Sequence, residues 1–155
     1  MENKGKTAKE LFKKGYNCSQ AVFGAFAEDF GIDFDLAVKL ASGFGGGIGR
    51  MRETCGAFCG MVMVLDMAQG IDMPNDKNEK ALLYKKVQYL AERFKEKNGS
   101  TICKELLSKK IGTADSSPNP EERTAEYYKK RPCTEIVEIA ANIIQEYLEN
   151  DKSEK

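Results

Sequence analysis

Apolar residues recur along this chain at spacings of three and four, and no stretch sustains the apolar and polar alternation of a half-buried strand. The pattern predicts an all-α fold, a helical bundle of about five to seven helices in a single domain over residues 1–155, with no internal repeat and no domain boundary. A first helix is read over Thr7 to Lys14, with Leu11 and Phe12 as its apolar contribution and Gly15 as its stop. A second opens at Asn17, where Asn-x-x-Gln has the form of a capping box, and carries Val22, Phe23, Phe26 and Phe30 up to Gly31. Asp33 or Asp35 starts a third through Leu36, Leu40 and Ala41. The run from Gly43 to Arg50 then breaks the helical pattern, because each glycine costs about 1 kcal/mol in a helix interior.

The fourth helix, Thr54 to about Gln69, is apolar on nearly every side: Ala57, Phe58, Met61, Val62, Met63, Val64, Leu65 and Met67. Such a helix belongs at the centre of the bundle. Asp76 begins a fifth with one stripe of Leu83, Val87, Leu90 and Phe94 and a charged opposite face. Ile111 to Pro120, with two prolines and small polar residues, reads as a loop. The last helix starts near Pro132 and aligns Ile136, Ile139 or Ala140, Ile143 and Tyr147, with residues 152–155 expected to fray.

At 155 residues the chain is long enough to bury about 70 % of its unfolded surface without disulfide staples. Lys+Arg and Asp+Glu both number 24, so no global field draws in nucleic acid or an anionic membrane. The longest apolar run, Met61 to Leu65, is too short to span a bilayer, and the first ten residues lack the apolar core of a signal peptide, so a cytoplasmic location is expected. In a reducing compartment cysteines serve metal or redox sites more often than stable disulfides, and five of them cannot all pair. Histidine is absent, which excludes His-based general base catalysis, Cys-His nucleophile pairs and His metal ligation.

Four of the five cysteines fall at expected helix starts. Cys18 follows Asn17, Cys55 follows Thr54, Cys103 lies three residues after Ser100, and Cys133 follows Pro132. A helix N-terminus favours a thiolate by about 0.3–1 kcal/mol, and up to ~2 in partly buried sites. The thiol pKa is thereby expected to fall by about 0.2 to 1.5 units. Such thiols are nucleophiles or metal ligands near neutral pH. Cys55 and Cys59, four apart on a helix, have Cβ atoms about 5–6 Å apart, which suits two ligands of one metal better than a disulfide. A disulfide partner for Cys55 would come from another helix, with Cys18, Cys103 and Cys133 as candidates. Two readings stand. Cys18, Cys55, Cys103 and Cys133 form a thiol/disulfide or electron-transfer site, a thiol-based oxidoreductase; or these four, with Cys59, are ligands of zinc or an iron–sulfur cluster in a metal-binding module without turnover. The packing alternative also applies, to Cys59 above all, because free cysteine is a small buried hydrophobe.

Cys55-Gly56-Ala57-Phe58-Cys59-Gly60, with Cys18 before it and Cys103 and Cys133 after it, resembles the CGAxxG signature of the redox-active proteins labelled C_GCAxxG_C_C, small bacterial and archaeal proteins. The resemblance runs from about Leu11 to Tyr147. It implies a redox or metal role without a settled reaction. Members are often encoded near transporter genes, so it also implies a redox partner linked to a membrane transporter. Cys59 occupies a variable position of the motif and is left open as a fifth ligand, a resolving thiol or a packing residue.

Gly56 and Gly60 are expected to let another backbone or a cofactor come close on one side of the central helix, while Gly45, Gly46 and Gly47 let the loop approach Cys55. No strand precedes this loop and no Gly-Lys-Ser/Thr follows it, so neither dinucleotide nor P-loop binding is indicated. The loop is read as plain, with Arg50 and Arg52 solvated or paired to carboxylates; a small-anion site on its N–H groups and arginines is the functional alternative. Glu53 is read as a solvated first-turn acid rather than a proton acceptor, Met61, Met63 and Met67 as core filling rather than soft metal ligands, and Tyr127 and Tyr128 beside Lys129, Lys130 and Arg131 as a solvated helix end or loop face. The apolar helix from Cys55 to Met67 and the stripe from Leu83 to Phe94 would serve a helix-packed homodimer.

Overall fold

The computed structural model describes residues 2–153. Among them eight α-helices follow one another: α1 (Lys4–Lys13), α2 (Cys18–Ala27), α3 (Phe34–Ala41), α4 (Gly56–Gln69), α5 (Lys77–Asn98), α6 (Cys103–Ile111), α7 (Ala125–Lys130) and α8 (Cys133–Ser153). The fold is all-α, and the strand-like pairing among the described residues is one antiparallel bridge, Thr54 to Ile102. The helix beyond the expected count is α7, six residues capped by the Thr124 hydroxyl accepting from the Tyr127 N–H. α1 starts three residues earlier than its apolar pattern suggests, because Asn3 caps it and Gly5 lets the Asn142 side chain of α8 sit where a Cβ would be. α8 runs on to Ser153, and Glu154 and Lys155 of the expected frayed end lie outside the described residues.

α4 is internal as its all-round apolar character requires, packed against α2, α5 and α8, and α2 shares the centre by contacting α1, α3, α4 and α8. Gly60 makes the α2–α4 approach possible: a Cβ there would lie 2.8 Å from the Val22 Cβ and 3.1 Å from the Ser19 carbonyl oxygen. Phe12, Phe26, Met61, Leu65, Leu90, Phe94 and Ile144 are wholly buried between these helices, each contributing about 1.5–3 kcal/mol. Met61, Met63 and Met67 all belong to this core or pack against it. No helix among the described residues is long and apolar enough to cross a membrane.

The start of α2 is held by polar ties. The capping box of Asn17 and Gln20 is formed in both directions. The buried Ser19 hydroxyl donates to the Ala41 carbonyl at 2.7 Å, and the Asn17 and Gln20 amides donate to the Ser42 and Val38 carbonyls at 2.9 Å. The end of α3 is thereby fixed beside the start of α2, and the glycine-rich segment leaves from that point.

Candidate functional site

The glycine-rich segment forms a left-handed turn. Five consecutive residues, Gly46 (φ 66°), Gly47 (φ 74°), Ile48 (φ 66°), Gly49 (φ 58°) and Arg50 (φ 63°), and then Arg52 (φ 61°), have positive φ. Ile48, Arg50 and Arg52 carry side chains in a region that costs about 1–2 kcal/mol per residue. The conformation is held by backbone bonds within the segment, the N–H groups of Arg52 and Glu53 donating to the Gly46 and Gly47 carbonyls at 3.1 and 2.9 Å. Beyond it the chain pairs with the entry to α6: Cys55 N–H to Thr101 O at 2.7 Å, Cys103 N–H to Glu53 O at 2.6 Å and Lys104 N–H to Arg52 O at 3.2 Å. Glu53 therefore contributes its carbonyl, while its side chain is exposed.

These connections bring four helix N-termini together. Cys18, Cys103 and Cys133 are the first residues of α2, α6 and α8, and Cys55 is the N-cap of α4. All four line one cavity of about 440 Å³, as does Gly56. A Cβ at Gly56 would lie 3.2 Å from the Cys18 Cβ and 2.9 Å from the Phe44 carbonyl, and one at Gly47 would lie 2.7 Å from the Cys103 Cβ. Gly47 thus approaches Cys103, whereas the loop glycines were expected against Cys55. Cys59 and Gly60 do not line this cavity: the Cys59 sulfur is 4.0 Å from the Thr54 carbonyl, and Gly60 meets α2. Among the described residues no three Cys, Asp or Glu side chains are grouped so that they could hold a metal ion.

The thiols are chemically unequal. Cys18 and Cys133 are coupled through their thiols, and that interaction, with burial, holds Cys18 well above the usual thiol range while it lowers Cys133. The guanidinium groups of Arg131, Arg52 and Arg123 further favour the Cys133 thiolate. Burial pushes Cys55 up to about 12, overriding the Phe58 and Ala57 N–H groups that point toward its sulfur, and burial also raises Cys59 and Cys103. The Arg52 Nη1, 3.7 Å from the Cys103 sulfur, opposes that rise. Of the four thiols at helix starts only Cys133 is lowered, and by Cys18 and the arginines rather than by its helix start, because the dipole supplies about 1 kcal/mol whereas desolvation reaches several pKa units. Cys18 and Cys133 nevertheless keep partial solvent exposure through the cavity, while Cys55 and Cys103 are buried.

Four arginines line the same space. Arg52 is buried and donates through Nε to the Asp115 carbonyl at 2.9 Å. Arg50 reaches Asp115 and Glu121 at 3.9 and 3.8 Å and donates to the Ser117 carbonyl at 2.5 Å and to that of Asn119. Arg131, buried against the Tyr127 ring at 4.6 Å, pairs with Glu121 at 2.5 Å. Arg123 donates to the Phe12 and Tyr16 carbonyls at 2.9 and 3.0 Å and stacks 4.4 Å from the Phe12 ring centre. Of residues 127–131, Lys129 and Lys130 are exposed as expected, whereas Tyr127 and Arg131 form a wall of the cavity. Arg123 has no place in the sequence reading, although its spacing from Tyr127 and Tyr128 on either side of a helix start is the signal that could have shown it.

The family described as "Putative redox-active protein (C_GCAxxG_C_C)" matches residues 16–147. The chain is also similar to an uncharacterized protein of Archaeoglobus fulgidus (strain ATCC 49558), 28 % identical over 151 residues that cover 93 % of this chain and 92 % of the relative. No solved structure matches it. With the signature helix, the preceding cysteine and the two later ones all falling within the matched region, the chain belongs to the C_GCAxxG_C_C family.

Proposed function

We propose that the protein is a dithiol redox protein in which Cys133 is the attacking thiolate and Cys18 the resolving thiol. The observation that carries this reading is that Cys18 and Cys133, the first residues of two helices, line one cavity and are both partly exposed there, and their coupling raises the pKa of the first thiol and lowers that of the second. Cys133 attacks one sulfur of a substrate disulfide, and the S–S bond breaks. The departing half leaves as a thiolate that takes the Cys18 proton. Cys18 then displaces the second half from Cys133, leaving a Cys18–Cys133 disulfide. The substrate gains two electrons and the protein loses two; a cellular dithiol returns them by the reverse exchange. Cys55, protonated until about pH 12, and Cys103 remain thiols beside the reacting pair.

The test is anaerobic purification with metal, sulfide and thiol analysis before and after mild oxidation. The expected result is a metal-free protein that loses two thiols together, with the new disulfide mapped to Cys18 and Cys133 and reversed by reductant. Stoichiometric zinc, or iron with sulfide, together with loss of order on stripping, would replace this reading by the metal-binding module.

A further inference from the structure

On the dithiol reading, the charge of the cavity lining bears on the class of molecule that reaches the thiols. Of the charged side chains that line it, four are arginines, Arg50, Arg52, Arg123 and Arg131, and one, Glu121, is a carboxylate. Glu121 serves Arg50 and Arg131 together. Arg52 and Arg123 are oriented by neutral carbonyls, and among the described residues neither has a carboxylate within ion-pair distance. Even with Cys133 ionised, the lining keeps a surplus of positive charge, and Arg52 is nine-tenths buried where water compensates it poorly. The space is also roofed. Pro118 and Pro120 line it, and Arg50 ties the segment that carries them by donating to the Ser117 and Asn119 carbonyls. Beneath this roof Cys18 and Cys133 are only partly exposed, which favours a small disulfide over one on the surface of a folded protein.

We propose that the cavity is a binding site for a small anionic sulfur compound, a low-molecular-weight disulfide bearing carboxylate or comparable acidic groups, held by Arg52 and Arg123 while its sulfur meets Cys133. The exchange is the one written above, with the anionic disulfide reduced to its two thiols and Cys18–Cys133 oxidised. An arginine fork suits this task because its planar donors pair with a carboxylate in a fixed orientation.

The reduced protein is mixed with dithiodiglycolate, 2-hydroxyethyl disulfide or cystamine, which carry negative, no and positive charge, and each rate is divided by that of free 2-mercaptoethanol to remove intrinsic reactivity. The expected result is a normalised rate at least ~10-fold higher for the dianion than for the dication. Arg52→Gln and Arg123→Gln, checked for native circular dichroism, shrink that ratio several-fold, and insulin disulfides react far more slowly than the dianion. Equal normalised rates, a lead for cystamine, or insulin reduced as fast as the dianion would overturn the proposal. The charge series on the unaltered protein decides even where a variant fails to fold. If none of the probes oxidises Cys18 and Cys133 as a pair, the dithiol reading itself fails, which is a different result from an unselective reaction.

Discussion

Cys18 and Cys133 begin helices near the two ends of the chain, and both line one cavity, where the interaction of the two thiols raises the pKa of the first and lowers that of the second. Their meeting depends on α8 packing against α2 and on the hydrogen at Gly56, where a Cβ would press on Cys18. The result is an asymmetric pair: the proton is favoured on Cys18 and the negative charge on Cys133, with three guanidinium groups adding to the effect of the Cys18 thiol.

Cys133 is expected to alkylate first. With iodoacetamide and peptide-resolved mass spectrometry, its rate should reach half its plateau below the usual thiol range, because its pKa is lowered by its coupling to the Cys18 thiol and then by Arg131, Arg52 and Arg123. Cys18→Ala removes the first of these causes, so the Cys133 profile should move to higher pH. An unmoved profile in that variant would deny the pair its coupling.

Arg52 is expected to set the reactivity of Cys103. It is the side chain whose Nη1 lies 3.7 Å from that sulfur, and it opposes the upward push of burial. Arg52→Gln should slow Cys103 alkylation several-fold near about pH 8, and Arg52→Lys should restore part of the rate by returning the charge without the fork. Equal Cys103 rates in all three proteins would show that the contact has no chemical effect.

The ends of these helices were legible in the residues that build them. Asn17 and Gln20 announce the capping box of α2, and the all-round apolar character of α4 places it inside. The cysteine order marked four of the residues that share the cavity. What lay out of reach was long-range. Nothing local says that residues 118–120 roof the thiols, that Arg123 crosses to the end of α1, or that Ile48 and Arg50 accept positive φ. Each is imposed by partners remote in sequence, and side-chain charge alone reads as solvated until the packing is known. The pKa order was hidden for the same reason, since the dipole at a helix start is a local property and desolvation is not.

Gly56 and Gly60 should separate site from scaffold. Gly60→Ala drives a methyl to 2.8 Å from the Val22 Cβ in the α2–α4 contact, so it should lower stability by about 1–3 kcal/mol in urea unfolding. Disulfide formation between Cys18 and Cys133 should proceed in the fraction that remains folded. Gly56→Ala meets the Phe44 carbonyl at 2.9 Å and the Cys18 Cβ at 3.2 Å. It should slow formation of that disulfide as well as destabilise, measured as the rate of paired thiol loss under diamide. Equal rates for the two folded variants would remove Gly56 from the geometry of the pair.

Cys55 should make the protein alkali-sensitive. In the unfolded chain its thiol ionises near the ordinary 9.0, and in the folded protein near 12. Between those values the unfolded state has released a proton that the folded state still binds. The Cys55 contribution is therefore complete below the lower value and is lost as pH rises through the window, by up to about 1.4 kcal/mol per pH unit. Cys55→Ala gives up the packing of a buried sulfur at neutral pH and should start less stable than the parent. Because the variant lacks this proton, urea unfolding from about pH 8 to about pH 11 should show the parent's lead shrinking at close to that slope. A stability difference that stays constant across the window would mean that the Cys55 thiol ionises equally readily in both states, and that its burial does not protect its proton.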